Sequence, residues 1–179
     1  IRFPGRVEGG RASDYPVTGA DLYPTLLDLC GLDLRVDQHI DGVSLKPILM
    51  GESLPSRPLY WHYPHYGNQG GEPHAIIRED EWKLIHYYED GRNELYHLVR
   101  DPGEQSDLSL TAPARTAAMW NRLDKWLTSV DAKRPESDPR YDAKKTEAFY
   151  LEKQTKLKQR LEKFHQQILE ADWQPNPDW

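Results

Sequence analysis

The sequence predicts an α+β fold, and three observations carry that expectation. Between residues 57 and 98 aromatic and aliphatic residues form short extended runs, with polar residues interleaved. Tight polar links join these runs, which makes an antiparallel meander. On either side, at 20–30 and 112–130, apolar residues recur at helical spacing.

In chain order, residues 1–18 mix apolar residues with Gly and Pro and read as a strand end followed by a surface loop. Leu22, Leu26, Leu29 and Cys30 then fall on one helical face. Thr18 can cap this helix, Pro24 is tolerable in its first turn, and Gly31 stands where a glycine ends helices. Cys30 on the apolar face is expected to be a small buried hydrophobe. Residues 32–56 read as a loop with one helical turn at Leu45–Leu49, ended by Gly51.

Strands are expected at Arg57–Tyr63, Ala75–Arg78, Trp82–Tyr88 and Glu94–Leu98. Trp82, Leu84, His86 and Tyr88 would share one face of the third; Lys83, Ile85 and Tyr87 would share the other. Glu79-Asp80-Glu81 and Glu89-Asp90-Gly91-Arg92 make the turns. After a polar loop, a helix at 112–130 carries Met119, Leu123, Trp126, Leu127 and Val130 as the stripe that covers the sheet. Pro135 and Pro139 mark a linker at 132–142. From 143 to 171 a long polar helix is expected, with a narrow seam of Leu157, Leu161, Phe164 and Ile168 suited to packing or self-association. The tail to Trp179 reads as irregular.

Charge and composition narrow the function. The net charge is −6 and cations are scattered among more numerous acids, so nucleic acid is not an expected partner. No apolar run approaches the roughly 18 residues of a membrane span. A lone cysteine forms no internal disulfide. Ile1 opens the chain without an initiator Met or a leader, so it reads as the interior of a longer sequence, and nothing about targeting follows.

Five ordered segments resemble the sulfatase family of the alkaline-phosphatase-like superfamily, in its C-terminal portion. They are Arg2-Phe3-Pro4-Gly5 with the helix Asp21–Leu32, Asp41–Leu49 with Gly51-Glu52, Trp61–Gly71, Ala75–Arg78 with Trp82–Ile85, and Glu94–Leu98 with Asp101–Leu108. The resemblance implies that residues 1–55 end an α/β alkaline-phosphatase-like catalytic domain. Residues 56–131 would then form a small four-stranded antiparallel sheet packed on a C-terminal helix, and 143–179 a helical extension and tail. It further implies hydrolysis of a sulfate ester, on a carbohydrate or other ester. The nucleophile would be a formylglycine made in a Cys/Ser-x-Pro-x-Arg motif, with Ca2+ held by Asp and Asn side chains, both upstream of this chain. A periplasmic or extracellular location goes with the family. Cys30 is followed by Gly31-Leu32-Asp33-Leu34, without the motif's Pro and Arg, and is not that nucleophile.

The candidate substrate-binding residues are His62, His65, Asn68 and Gln69, in a Gly-permissive loop that follows a strand. The histidines can donate to sulfate or sugar oxygens, and the amides can bond hydroxyls. The opposing reading is a loop ordered by aromatic packing, with His62 under the sheet. A zinc site from His62, His65, His74 and His86 is the rival chemistry, but their spacing matches no zinc signature. Asp101, Glu104 and Asp107 fail the calcium-loop pattern and read as a turn. Arg78 and Lys83 read as a solvated face rather than a sulfate clamp. The other function class is a non-catalytic binding module acting through the 62–71 loop or the long helix.

Overall fold

The computed structural model describes residues 1–7, 9–67, 71–136 and 138–174. They form two units, Ile1–Lys133 and Arg134–Trp179.

The first unit begins with loops and a single 3-10 turn, Gly19–Asp21, that runs into helix α1 (Leu22–Leu29). Thr18 closes the start through its backbone, its N–H donating to the Asp21 carboxylate at 2.8 Å. Gly31 follows at φ +70°, the left-handed conformation expected of a glycine after a helix. The buried side chains here are Asp21, Pro24 and Thr25 rather than the leucines. The Thr25 hydroxyl accepts the Leu45 N–H at 2.8 Å and donates to the Asp21 carbonyl at 2.6 Å, so this polar edge docks the segment before α2 (Lys46–Met50). Leu22 and Leu26 are more than half exposed, and Cys30 is exposed as well. The expectation of a buried Cys30 is therefore corrected. Helical spacing made the leucine side an apolar stripe, but nothing within the described residues covers it.

The sheet follows in sequence order. Its strands are β1 (Leu59–Tyr63), β2 (His74–Glu79), β3 (Trp82–Tyr87) and β4 (Asn93–His97), all antiparallel to their neighbours. Asp80 takes φ +51° in the β2–β3 link, where a short polar side chain tolerates the left-handed region. Pairing Ile77 with Leu84, and Leu84 with Leu95, puts these residues on one face, which α3 (Pro113–Ser129) covers with Met119, Leu123 and Leu127. Ile77, Leu84, Leu95, Leu123 and Leu127 have no exposed surface. Each such side chain contributes about 1.5–3 kcal/mol by leaving water. Trp126 joins by stacking on Tyr60, rings 4.7 Å apart, whereas Val130 lies past the helix end and is half exposed.

The free edge of β4 is covered by the loop that follows it. Asp107 Oδ1 accepts the N–H of Leu95 at 2.9 Å and that of Ser109 at 2.8 Å, while the Leu108 N–H donates to the Leu95 carbonyl at 2.8 Å. The side chain and backbone of this loop thus supply the ladder bonds a fifth strand would make.

The second unit is helical: α4 (Ala143–Glu152), a π turn at Lys153–Leu157, and α5 (Lys158–Ile168). Asp142 caps its start by accepting the N–H groups of Lys144 and Lys145. The helix expected over 143–171 therefore ends at 168 and is interrupted. At the interruption the Thr155 hydroxyl donates to the Leu151 carbonyl at 2.7 Å and competes for a helical acceptor. Among the described residues no helix is long and apolar enough to cross a membrane.

Candidate functional site

The 62–71 loop grows out of the end of β1, and alternation along that strand decides where its histidines point. His62 belongs to the helix-covered side, partly buried, with its ring edge-on to Tyr88 at 5.7 Å. His65 lies past the strand and is exposed, its ring edge-on to Tyr63 at 5.6 Å. Tyr63 also meets His74 at 5.8 Å, and His74 Nδ1 lies 2.7 Å from the Glu72 carbonyl. The Gly67 N–H donates to the Gly71 carbonyl at 3.1 Å, and Gly71 takes φ +106°, so the loop closes on itself at a residue without a Cβ. Asn68 and Gln69 lie outside the described residues. The two histidines are thus separated: His65 is open to a ligand, and His62 is packed against aromatics.

An anchor for this loop comes from the β3–β4 turn. Arg92 pairs with Glu72 at 2.8 Å, Asp90 at 2.9 Å and Glu94 at 3.4 Å, and its guanidinium stacks 3.7 Å from the centre of the Tyr87 ring. Burial and the Glu94 carboxylate push the Tyr87 hydroxyl up to about 12, so it stays a donor to Glu94. This cluster fastens the root of the loop to the sheet. It escapes sequence reading because Arg92 looks like an ordinary turn residue twenty positions from its partner.

Lys83, the three loop acids and His86 are engaged locally. Lys83 binds Glu104 at 2.6 Å, which removes it as a free sulfate clamp. The Asp101 carboxylate accepts the N–H groups of Gln105 and Ser106, and Asp107 holds Leu95 and Ser109. These three acids are therefore occupied and do not fit calcium. His86 stacks on Trp120 at 3.9 Å and faces Asn93 at 3.0 Å. Among the described residues no three His, Cys, Asp or Glu side chains converge into a group that could hold a metal.

Ser53-Leu54-Pro55-Ser56-Arg57 fits the Cys/Ser-x-Pro-x-Arg pattern that the sequence reading placed upstream of this chain. Ser53 is exposed on the loop before β1. Arg57 reaches back to both oxygens of the fully buried Asp21, at 2.6 and 2.5 Å. With its arginine committed to Asp21 and no metal-holding group among the described residues, this string joins α1 to the sheet.

A cavity of about 310 Å3 opens beside this pair, lined by Thr18, Asp41, Arg57, Tyr60, Trp61 and Trp126 among others. Arg57 is already neutralised by Asp21, so the cavity offers aromatic surface rather than an anion site.

Residues 1–133 match the family described as N-sulphoglucosamine sulphohydrolase, C-terminal. An N-acetylglucosamine-6-O-sulfatase of Bacteroides thetaiotaomicron is 32% identical over 155 residues, covering 83% of this chain and 27% of that protein. A sulfatase of Formosa agariphila is 31% identical, covering 74% of this chain and 27% of its own length. Among solved structures, a protein in complex with its substrate D-glucosamine-2-N,6-O-disulfate superposes with a TM-score of 0.64 at 28% identity, over 76% of this chain and 29% of that one. The chain thus spans little more than a quarter of the length of the relatives it matches.

Proposed function

This chain belongs to the sulfatase family, a family of sulfuric ester hydrolases, and corresponds to the C-terminal portion of its members; from that premise we propose that the full-length protein hydrolyses sulfate esters on a carbohydrate. The match over residues 1–133 carries this reading. Support for a sugar comes from the names of the relatives, which include an N-acetylglucosamine-6-O-sulfatase and a Delta 4,5-hexuronate-2-O-sulfatase. The formylglycine nucleophile and the calcium site belong, in this reading, to parts of the protein outside these 179 residues. Neither Cys30 nor Ser53 has the surroundings of a nucleophile, and Asp101, Glu104 and Asp107 are occupied by local partners.

The part proposed for this chain is recognition. His65, held edge-on by Tyr63, donates a hydrogen bond to a sulfate or sugar oxygen, and Asn68 and Gln69 bond neighbouring hydroxyls. His62, set against Tyr88, fixes the strand end from which the loop springs, and Arg92 fixes the other root through Glu72. A preset loop loses less conformational entropy when substrate docks.

The test is steady-state kinetics of the full-length protein and its His65→Ala variant on a sulfated amino sugar. Loss of one hydrogen bond to a charged group lowers kcat/KM by about 10–100-fold. Unchanged kinetics would remove the loop from the site while leaving the activity intact, whereas absent turnover in the wild type would remove the sulfatase reading itself.

A further inference from the structure

The helical unit lies beyond the residues that match the family, and its charge runs against that of the chain. Residues 143–170 hold seven Lys and Arg against four Glu, in a chain of net charge −6, and residues 153–163 hold five cations against Glu162 alone. We propose that this helix carries a binding site for sulfated polysaccharide, formed by Lys153, Lys156, Arg160 and Lys163. The inference rests on the reading of the substrate as a sulfated carbohydrate.

Two surface grooves set these side chains in one row. The first, about 310 Å3, is lined by Phe149, Lys153, Lys156, Leu157 and Arg160 with Glu152; the second, about 370 Å3, runs on through Arg160, Leu161, Lys163 and Phe164. Arg160 belongs to both, so the cations follow one another over about 15 Å of helix. Arg160 and Lys163 make no ion pair among the described residues, and the Lys156–Glu152 pair at 3.2 Å is exposed on both sides and exchanges readily. Sulfate esters keep their charge at every working pH. An arginine fork meets two of their oxygens at once, and lysines add point charges along the strand of sugars.

The occupant follows from how charge and apolar surface are mixed. Here Lys153 lies over the Phe149 ring at 4.3 Å, and Phe164 shares its groove with Arg160 and Lys163. Pairing this face with its own copy would bring the four cations against their equivalents, a like-charge contact. A flexible polyanion satisfies both features, because its charges meet the row and its sugar rings lie on Phe149 and Phe164.

Binding of the full-length protein to immobilised dextran sulfate tests this, with unsulfated dextran, polyglutamate and phosphatidylserine vesicles as comparisons. The wild type is expected to bind dextran sulfate and release it steeply as salt rises. The double variant Arg160→Glu/Lys163→Glu is expected to bind at least about tenfold more weakly, with a log–log salt slope shallower by about 2. Equal retention of wild type and variant would overturn the site. So would tighter binding to the vesicles, equal binding to polyglutamate, or a variant that changes only the sedimentation of the protein. Turnover of a small aryl sulfate by the variant is read alongside and stays within about twofold of wild type. Wild-type protein that binds dextran sulfate but releases no sulfate from any ester would count against the sulfatase reading and still support the helix site.

Discussion

Asp21 has no exposed surface, and Arg57 reaches it across 36 residues of sequence. Two backbone N–H groups, from Thr18 and Val43, complete the carboxylate's partners. Removing Arg57 leaves that buried charge without its counterion, so Arg57→Ala is expected to destabilise the protein by about 3–5 kcal/mol, read from its urea midpoint. A change under about 1 kcal/mol would mean that the pair is an ordinary surface contact. This latch was not legible in the sequence. Twenty-nine acids and twenty-three bases offer many partners, and nothing local distinguishes the right two. Cys30 shows the opposite error: spacing announces that a face is apolar, but not that something covers it. His65, the exposed histidine of its loop, is the residue whose substitution tests the proposed recognition.

The elements were more legible. The hairpins and α3 depend on short-range periodicity, and the sheet order follows from tight links that leave few other pairings. Leu123 is fully buried between α3 and the sheet, so Leu123→Ala should cost about 2–5 kcal/mol in unfolding free energy. A small loss would mean that helix and sheet are not packed as described. The loop after β4 adds a pH dependence. Burial pushes the Asp107 carboxyl up, but the N–H groups of Leu95 and Ser109 outweigh it and hold the group below its usual range. A carboxyl lowered on folding stabilises above its unfolded pKa of about 3.9 and loses that contribution as pH falls towards the lower folded value. Asp107→Ala should therefore lower the urea midpoint clearly at neutral pH and less in acid. An equal loss at both would show that its charge plays no part. What periodicity did not reveal was the π turn, which depends on where one threonine hydroxyl bonds.

At the scale of the whole molecule, unit 1 presents an uncovered apolar face, with Leu22, Leu26 and Tyr23 on α1 all exposed. Contiguous apolar surface of this kind is the mark of an interface. The N-acetylglucosamine-6-O-sulfatase is nearly four times the length aligned here, and in the proposed account the rest of the full-length protein covers this face and supplies the nucleophile. The family was legible because five motifs keep their order, whereas the site was legible only in part, because in the proposed account its chemistry is divided between this chain and residues beyond it. The measurement that bears most directly on the account is sulfate release from a sulfated amino sugar, compared between the full-length protein and the isolated 179 residues. The account predicts release by the full-length protein and none by the isolated chain. Sulfate released by the 179 residues alone, or by neither protein from any sulfated sugar tried, would contradict it.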